Sequence, residues 1–272
     1  MKINKNHLWA NAVLMLVALG MLGPMLLVLN VALKSNTEFL RTPLTLTQSL
    51  QWENFRLAWV QADMEIYFKN SVLFTVLVAV GTCVIATMAA YPIARNHMKG
   101  ANFFYLLFLS SLFLPVGLVP LLYVMQYLGF MNSYPGFILL KIGSSLSISI
   151  FILTGFIKSV PKEMDEAAAI DGCGYLRYIF TIVFALIKPA AFTVGMLIAI
   201  GTWNDFISPF LFLTYKEMRP LTAGLYLFFG QYSTNWTILA AGIIMVAFPL
   251  IVAFVFLQRF IISGITSGAL KG

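Results

Sequence analysis

The chain has 272 residues, 60% of them hydrophobic and 10% charged, with a formal net charge of +7 at pH 7. That balance excludes an ordinary water-soluble domain and identifies an integral membrane protein. The positive charge does not point to nucleic acid, because Lys and Arg stand scattered at the ends of apolar runs, a topological pattern and not a groove.

A helix crosses the ~30 Å hydrocarbon core in about 20 residues, so the uncharged runs convert into spans in chain order. The first, 8–33, follows Lys2 and Lys5. It exceeds the apolar core of a signal peptide, about 7–15 residues, and no small-x-small site closes it, so a retained span is expected. Between Lys34 and Lys69, Trp52, Phe55, Trp59 and Val60 recur on one helical face. They predict an amphipathic helix outside the membrane core, either lying at the lipid interface or packed on the spans. Residues 70–94, between Lys69 and Arg95, form the second span. The uncharged stretch from Lys99 to Lys141 is too long for one crossing, and Gly129-Phe130-Met131-Asn132-Ser133-Tyr134-Pro135-Gly136 supplies a turn, giving spans at 102–128 and 137–157. Within the third, Pro115-Val116-Gly117-Leu118-Val119-Pro120 should kink or unwind the helix, as a hinge or pathway lining or as a static kink. Spans five and six fall at 189–215 and 236–257, separated by the loop Gly230-Gln231-Tyr232-Ser233-Thr234-Asn235.

The expected architecture is therefore all-α: one polytopic domain over 1–272 with six transmembrane helices. With the N-terminus inside, Lys2, Lys5, Arg95, Lys99, Lys158, Lys162, Arg177, Lys188, Arg259 and Lys271 lie on the cytoplasmic side, against Lys34, Arg41, Arg56, Lys69, Lys216 and Arg219 outside. That bias puts both termini and the loop 158–188 in the cytoplasm. The loop contains a charged interruption, Pro161 to Pro189, whose core is Glu166-Ala167-Ala168-Ala169-Ile170-Asp171-Gly172. The alanines favour a short helix and the glycine a left-handed cap, with acids early and bases late as the helix dipole prefers. So short a helix needs a surface to lie on, either its own spans or another protein.

No catalytic constellation stands out. His7 and His97 lack partners at metal-ligand spacing, so no metal site is expected. No phosphate-cradling Gly-x-x-x-x-Gly-Lys-Ser/Thr occurs, and any ATP energy must come from a partner. Cys83 and Cys173 fall in different environments, which disfavours a disulfide. Two ionisable residues interrupt apolar runs. Lys141 lies near enough to the outer end of span four to snorkel; Asp205 belongs to the cluster Thr202-Trp203-Asn204-Asp205, followed by Ser208-Pro209. Trp203, Asn204 and Asp205 either line a wet cavity suited to a polyhydroxylated solute or form an interhelical hydrogen-bond knot.

These residues resemble the integral-membrane permease subunits of carbohydrate-importing ABC transporters, particularly the shorter, six-span partner of the maltose type. Glu166-Ala167-Ala168, three residues, then Gly172 is similar to that family's EAA loop, with Val160-Pro161-Lys162-Glu163 before it and Ile170-Asp171-Gly172 fitting as well. Matches run along nearly the whole chain: Asn70-Ser71, Ala89-Ala90-Tyr91, Ala94-Arg95, Leu128-Gly129, Asn132-Ser133-Tyr134 with Gly136, Trp203-Asn204-Asp205-Phe206, Gln258-Arg259 and the tail from Gly264 to Gly272. One stretch departs: Ile182-Val183-Phe184-Ala185 stands where the family usually reads Ile-x-Leu-Pro. Losing that proline is expected to let the helix run straighter into span five.

The resemblance implies a type I ABC importer permease fold in a bacterial or archaeal cell membrane. It implies a homologous permease subunit as heterodimer partner, two ATP-binding subunits that carry ATP and magnesium, an extracytoplasmic solute-binding protein, and no catalysis by this chain. Glu166, Ala167, Ala168, Asp171 and Gly172 would then couple ATP hydrolysis to alternating access. A stand-alone secondary transporter or channel is the competing reading; it needs an intramembrane ion-coupling residue, for which Asp205 is the candidate.

Overall fold

The computed structural model describes residues 5–114, 117–231 and 235–269. Pro115 and Val116 of the expected kink, Tyr232 to Thr234 of the last loop, Lys2 and the final Leu270-Lys271-Gly272 lie outside the described residues. Every regular element is helical: α1 (Lys5–Ala32), α2 (Asn36–Arg41), α3 (Glu53–Gln61), α4 (Met64–Arg95), α5 (Ala101–Ser111), α6 (Leu118–Tyr127), α7 (Tyr134–Ser159), α8 (Glu163–Ile170), α9 (Tyr175–Leu186), α10 (Lys188–Asn204), α11 (Ile207–Phe212), α12 (Leu221–Gln231) and α13 (Trp236–Ala269). Among the described residues, α1, α4, α7 and α13 are each long and apolar enough to cross a membrane, and α9 with α10 makes a bent fifth. The chain divides into two compact units, Met1–Glu65 with Gly224–Ile251 and Ile66–Ala223 with Val252–Gly272.

In the first unit α1 is exposed along nearly all its length, as suits a helix whose neighbours are lipid tails or another chain. Its C-terminal end is tied by polar groups. The fully buried Lys34 ammonium donates to the Thr42 carbonyl, and Asn54 Nδ2 donates to the carbonyls of Ala32 and Lys34 at 2.8 Å each. These bonds satisfy acceptors that the helix end leaves open. The predicted amphipathic helix is α3. It buries Asn54 and Ala58 and leaves Trp52, Trp59 and Val60 exposed, so the aromatic face is turned outward. On its surface Arg56 donates to Glu53 at 2.8 Å and holds that carboxyl below its ordinary range.

In the second unit α4, α7, α9 and α10 share one core, with Val78, Ala86, Ile150, Leu153, Ile179 and Val194 among its buried members. Small residues permit the close approach of these helices. A Cβ on Gly81 would lie 2.7 Å from Ile142 Cδ1, and one on Gly195 3.3 Å from Cys83 Sγ. Cys83 and Cys173 are both free thiols. The turn expected at 129–136 opens α7: Ser133 Oγ accepts from the Gly136 amide at 3.1 Å, Pro135 occupies the first turn, and Asn132 is left-handed at φ 53°.

The third span, placed at 102–128, is interrupted in the region where Pro115 to Pro120 was expected to kink or unwind it: α5 ends at Ser111 and α6 begins at Leu118. Two expectations are corrected. The fifth span, placed at 189–215, stops at Asn204, with Asp205 extended at φ −69° and ψ 122°. Pro209 explains the stop, because it has no N–H to offer the Asp205 carbonyl four residues back. Thr222 Oγ1 serves that carbonyl instead, at 2.7 Å. Nor does the segment after the charged interruption run straight into span five. It forms a π-helical turn over Tyr178–Val183 and then bends by 85° between α9 and α10. Pro189, in the first turn of α10, provides the break that the missing upstream proline was expected to remove, since its ring excludes the carbonyl of Ala185 from a continuous helix.

The segment after α11 is fastened to α4 and to the turn before α7. Asn70 Nδ2 donates to the carbonyls of Glu217 and Arg219 at 2.7 and 3.0 Å, Ser71 Oγ accepts from the Leu221 amide at 2.8 Å, and Asn132 Oδ1 accepts from the Thr214 amide at 2.6 Å. The stretch that follows Asp205 is thereby anchored over residues 214–221.

Candidate functional site

Two sites in the second unit carry chemistry. The first is α8. Val160 is extended at ψ 131°, as a residue before proline prefers, and Pro161 separates α7 from the new helix. Glu163, Asp165 and Glu166 crowd its first turn, where the helix dipole welcomes negative charge. It ends in a Schellman cap: the Cys173 amide donates to the Ala168 carbonyl at 2.9 Å and the Gly172 amide to that of Ala169 at 3.1 Å, with Gly172 at φ 67°. The glycine singled out in the sequence is the one residue type that takes this backbone conformation without a Cβ penalty.

α8 is clamped from one side. Arg95, at the end of α4 with only 3% of its side chain exposed, sits with Nε 2.6 Å from Asp165 Oδ2, and its Nη1 donates to the Val160 carbonyl at 2.9 Å. Tyr178, on α9, donates its hydroxyl to Asp165 Oδ1. Tyr91 packs its ring 5.6 Å from that of Tyr178, and a cavity of about 390 Å³ remains under the helix beside His97, Glu166 and Cys173. The rest of α8 is open. Glu166, Ala167, Asp171 and Gly172 are exposed, as are Met164 and Ile170, the latter by 86%. Ala168 differs from the other expected coupling residues: it is buried and seats the helix against the core.

The second site lies where α10 gives out. Lys141 Nζ on α7 donates to Asp205 Oδ2 at 2.8 Å, and Asp205 Oδ1 accepts from the Ser208 amide at 3.1 Å. The pair borders a cavity of about 540 Å³ whose walls include Leu121, Phe212, Ser144 and Asn204. Asn204 and Asp205 border this cavity, and the Lys141–Asp205 pair also forms an interhelical knot between α7 and the end of α10, the other arrangement expected of the cluster. Trp203 is buried instead, its ring edge-on to Phe68 with centroids 6.2 Å apart.

Residues 82–266, more than half of the chain, match the family described as "Binding-protein-dependent transport system inner membrane component". The chain belongs to that family. This inner membrane component is 35% identical over 272 residues to the "Probable ABC transporter permease protein YurM" of Bacillus subtilis (strain 168), covering 99% of this chain and 90% of that one. It is 34% identical over 226 residues to the "Melibiose/raffinose/stachyose import permease protein MelC" of the same organism, covering 82% of each. Among solved structures, one described as "Crystal structure of a bacterial ABC transporter involved in the import of the acidic polysaccharide alginate" superposes with a TM-score of 0.83 over 95% of this chain and 98% of that one. At 22% identity that likeness establishes the fold. The component is thus a multi-pass membrane protein of transport systems.

Arg95, Asp165 and Tyr178 are the site residues that sequence reasoning missed; Lys141 it singled out, but without its partner. Arg95 reads in the sequence as a topological charge, and nothing links it to Asp165, 70 residues on. Lys141 did carry a signal: two opposite charges inside apolar runs of one chain are expected to find each other, because either alone is costly in a membrane.

Proposed function

We propose that this inner membrane component is one of two homologous permease subunits forming the translocation pathway of an ATP-binding-cassette importer for a sugar or oligosaccharide. The observation that carries the reading is α8: a helix too short to stand alone, clamped at Asp165 by Arg95 and Tyr178 and offering elsewhere an unpartnered apolar and acidic face. We assign that face, with Glu166, Ala167, Asp171 and Gly172, to contact with an ATP-binding subunit, and Ala168 to seating the helix. Two such subunits would carry ATP and magnesium, an extracytoplasmic solute-binding protein would deliver the cargo, and this chain would contribute no catalytic step. The cargo in the name of the Bacillus subtilis relative, melibiose, raffinose and stachyose, favours a saccharide.

In this reading residues 1–272 act as one permease domain in a bacterial or archaeal cell membrane. α1, α4, α5 with α6, α7, α9 with α10, and α13 supply six crossings, with both termini and α8 cytoplasmic. Closure of the ATP-binding pair moves the docked α8, and Arg95, which grips Asp165, passes the shift to α4, so that the spans rock between inward-facing and outward-facing states. Hydrolysis resets them. Trp203 braces Asn204 and Asp205, which border the pathway.

A stand-alone secondary transporter would need Asp205 for ion coupling, and Lys141 already occupies it at 2.8 Å. Purification of the tagged chain from native membranes should recover an ATP-binding protein and a second permease, and raffinose uptake by the reconstituted assembly should require ATP. A chain that purifies alone and drives uptake from an ion gradient would refute the proposal.

A further inference from the structure

We propose that the cavity at Lys141 and Asp205 is a solute subsite within this subunit, built for a neutral polyhydroxylated molecule that bridges the two charges with adjacent hydroxyls. The inference deepens the importer reading and rests on it. At about 540 Å³ the cavity falls in the range of small-molecule sites. Its lining mixes apolar side chains, Leu118, Leu121 and Phe212 among them, with the polar Lys141, Asp205, Asn204 and Ser144. That mixture suits a saccharide, whose ring offers C–H faces as well as hydroxyls.

The polar lining has capacity to spare. The ammonium of Lys141 has three protons and gives one to Asp205 Oδ2, while the carboxylate retains lone pairs beyond those engaged by Lys141 and the Ser208 amide. Both side chains are partly open, at 15% and 14% exposure. Asn204 is exposed beside them with a whole amide to offer. A hydroxyl both donates and accepts, so two neighbouring hydroxyls satisfy Lys141 and Asp205 without parting them. An anion would have to take Lys141 from Asp205, and a cation the reverse, each leaving a charge stranded in a poorly solvated site. The intact pair therefore selects for neutrality.

Gly201 gives the test a variant that leaves the pair untouched. It borders the cavity, and a Cβ built on it meets nothing within 4 Å. Gly201→Leu should fill the cavity while improving the propensity of α10, and so preserve folding. The whole importer, with its ATP-binding, partner and solute-binding components, is reconstituted in proteoliposomes after Cys83 and Cys173 are replaced by Ser. Ser144→Cys is then labelled with a thiol reagent in the presence of raffinose, maltose or glucuronate.

Raffinose or maltose should slow labelling about tenfold and glucuronate should not, with the protection abolished by Gly201→Leu, which should also raise the KM of uptake about tenfold. If ATP-driven uptake of raffinose or maltose is intact while neither sugar protects Ser144→Cys, or while Gly201→Leu keeps the wild-type KM, the subsite is overturned and the importer reading stands. Equal protection by glucuronate overturns the selectivity for neutral solutes. Protection without any dependence of uptake on ATP overturns the importer reading and leaves the subsite.

Discussion

Asp165→Ala removes the carboxylate that Arg95 and Tyr178 share and leaves the Arg95 guanidinium buried. Stripping one partner from a buried ion pair costs about 3–5 kcal/mol. Arg95 keeps the carbonyls of Val160 at 2.9 Å and Pro161 at 3.4 Å, so the cost belongs at the lower end, about 3 kcal/mol. The ion pair and the tyrosine hydrogen bond fasten α8 to α4 and α9, and the penalty therefore appears as local opening of α8, well before the spans unfold. At 1.36 kcal/mol per decade, about 3 kcal/mol raises the opening constant roughly a hundredfold. Hydrogen exchange in nanodiscs reads this directly: the Asp171, Gly172 and Cys173 amides, which close the helix end, should exchange about a hundred times faster or reach the unprotected limit. Amides in the middle of α7 serve as the internal standard and should not change. The double variant Arg95→Met with Asp165→Leu removes the stranded charge along with its partner and should regain most of the protection. Exchange at α8 within about threefold of wild type in Asp165→Ala would refute the clamp, since that is the scatter expected of an uncoupled substitution.

Gly172→Leu meets no atom within 4 Å but forces a side chain onto a backbone at φ 67°, a cost of about 1–2 kcal/mol. The variant should insert normally yet lose co-purification of the ATP-binding subunit or its transport-stimulated hydrolysis; unchanged assembly and uptake would contradict the assigned role. Lys141→Met strands Asp205 and should lower the thermal midpoint of the detergent-solubilised assembly, whereas Lys141→Met with Asp205→Leu should recover most of the stability; a single variant as stable as wild type would mean that the pair contributes little. Gly136→Ala puts a Cβ 2.2 Å from the Phe130 carbonyl, a clash with backbone that cannot swing aside, and should destabilise the turn into α7 by about 1–3 kcal/mol. Wild-type yield and thermal midpoint in that variant would count against the turn geometry.

The sequence discloses whatever depends on local chemistry. Charges mark where α1 and α4 end, near Lys34 and at Arg95, because hydrocarbon tolerates few of them, and Gly172 announces its own left-handed cap. The aromatic face of α3 is legible as a pattern, but which side it presents is not, because Asn54 is drawn inward by carbonyls that α1 leaves open at its far end. Span five comes out too long from the sequence for a related reason. Pro209 reads as loosening a helix, while the polar partners that make it cheaper to end one, Thr222 and Lys141, are distant in sequence. The pairings of Arg95 with Asp165 and of Lys141 with Asp205 span 70 and 64 residues. Register between helices so far apart follows from core packing, which helical periodicity alone does not encode.

The 85° elbow at Ile187 determines what kind of motion can leave α9. Two rods meeting near a right angle transmit almost nothing along their axes: a push directed down α9 has hardly any component along α10. It exerts torque instead. Displacing α9 sideways swings α10 about its own long axis, like the handle of a crank turning its shaft. Asp205 ends that shaft, and rotation would sweep its carboxylate in an arc past α7 while leaving its depth in the bilayer almost constant. Lys141 resists that sweep, since its ammonium ties Asp205 to α7 at 2.8 Å, so the ion pair sets how far the shaft can turn.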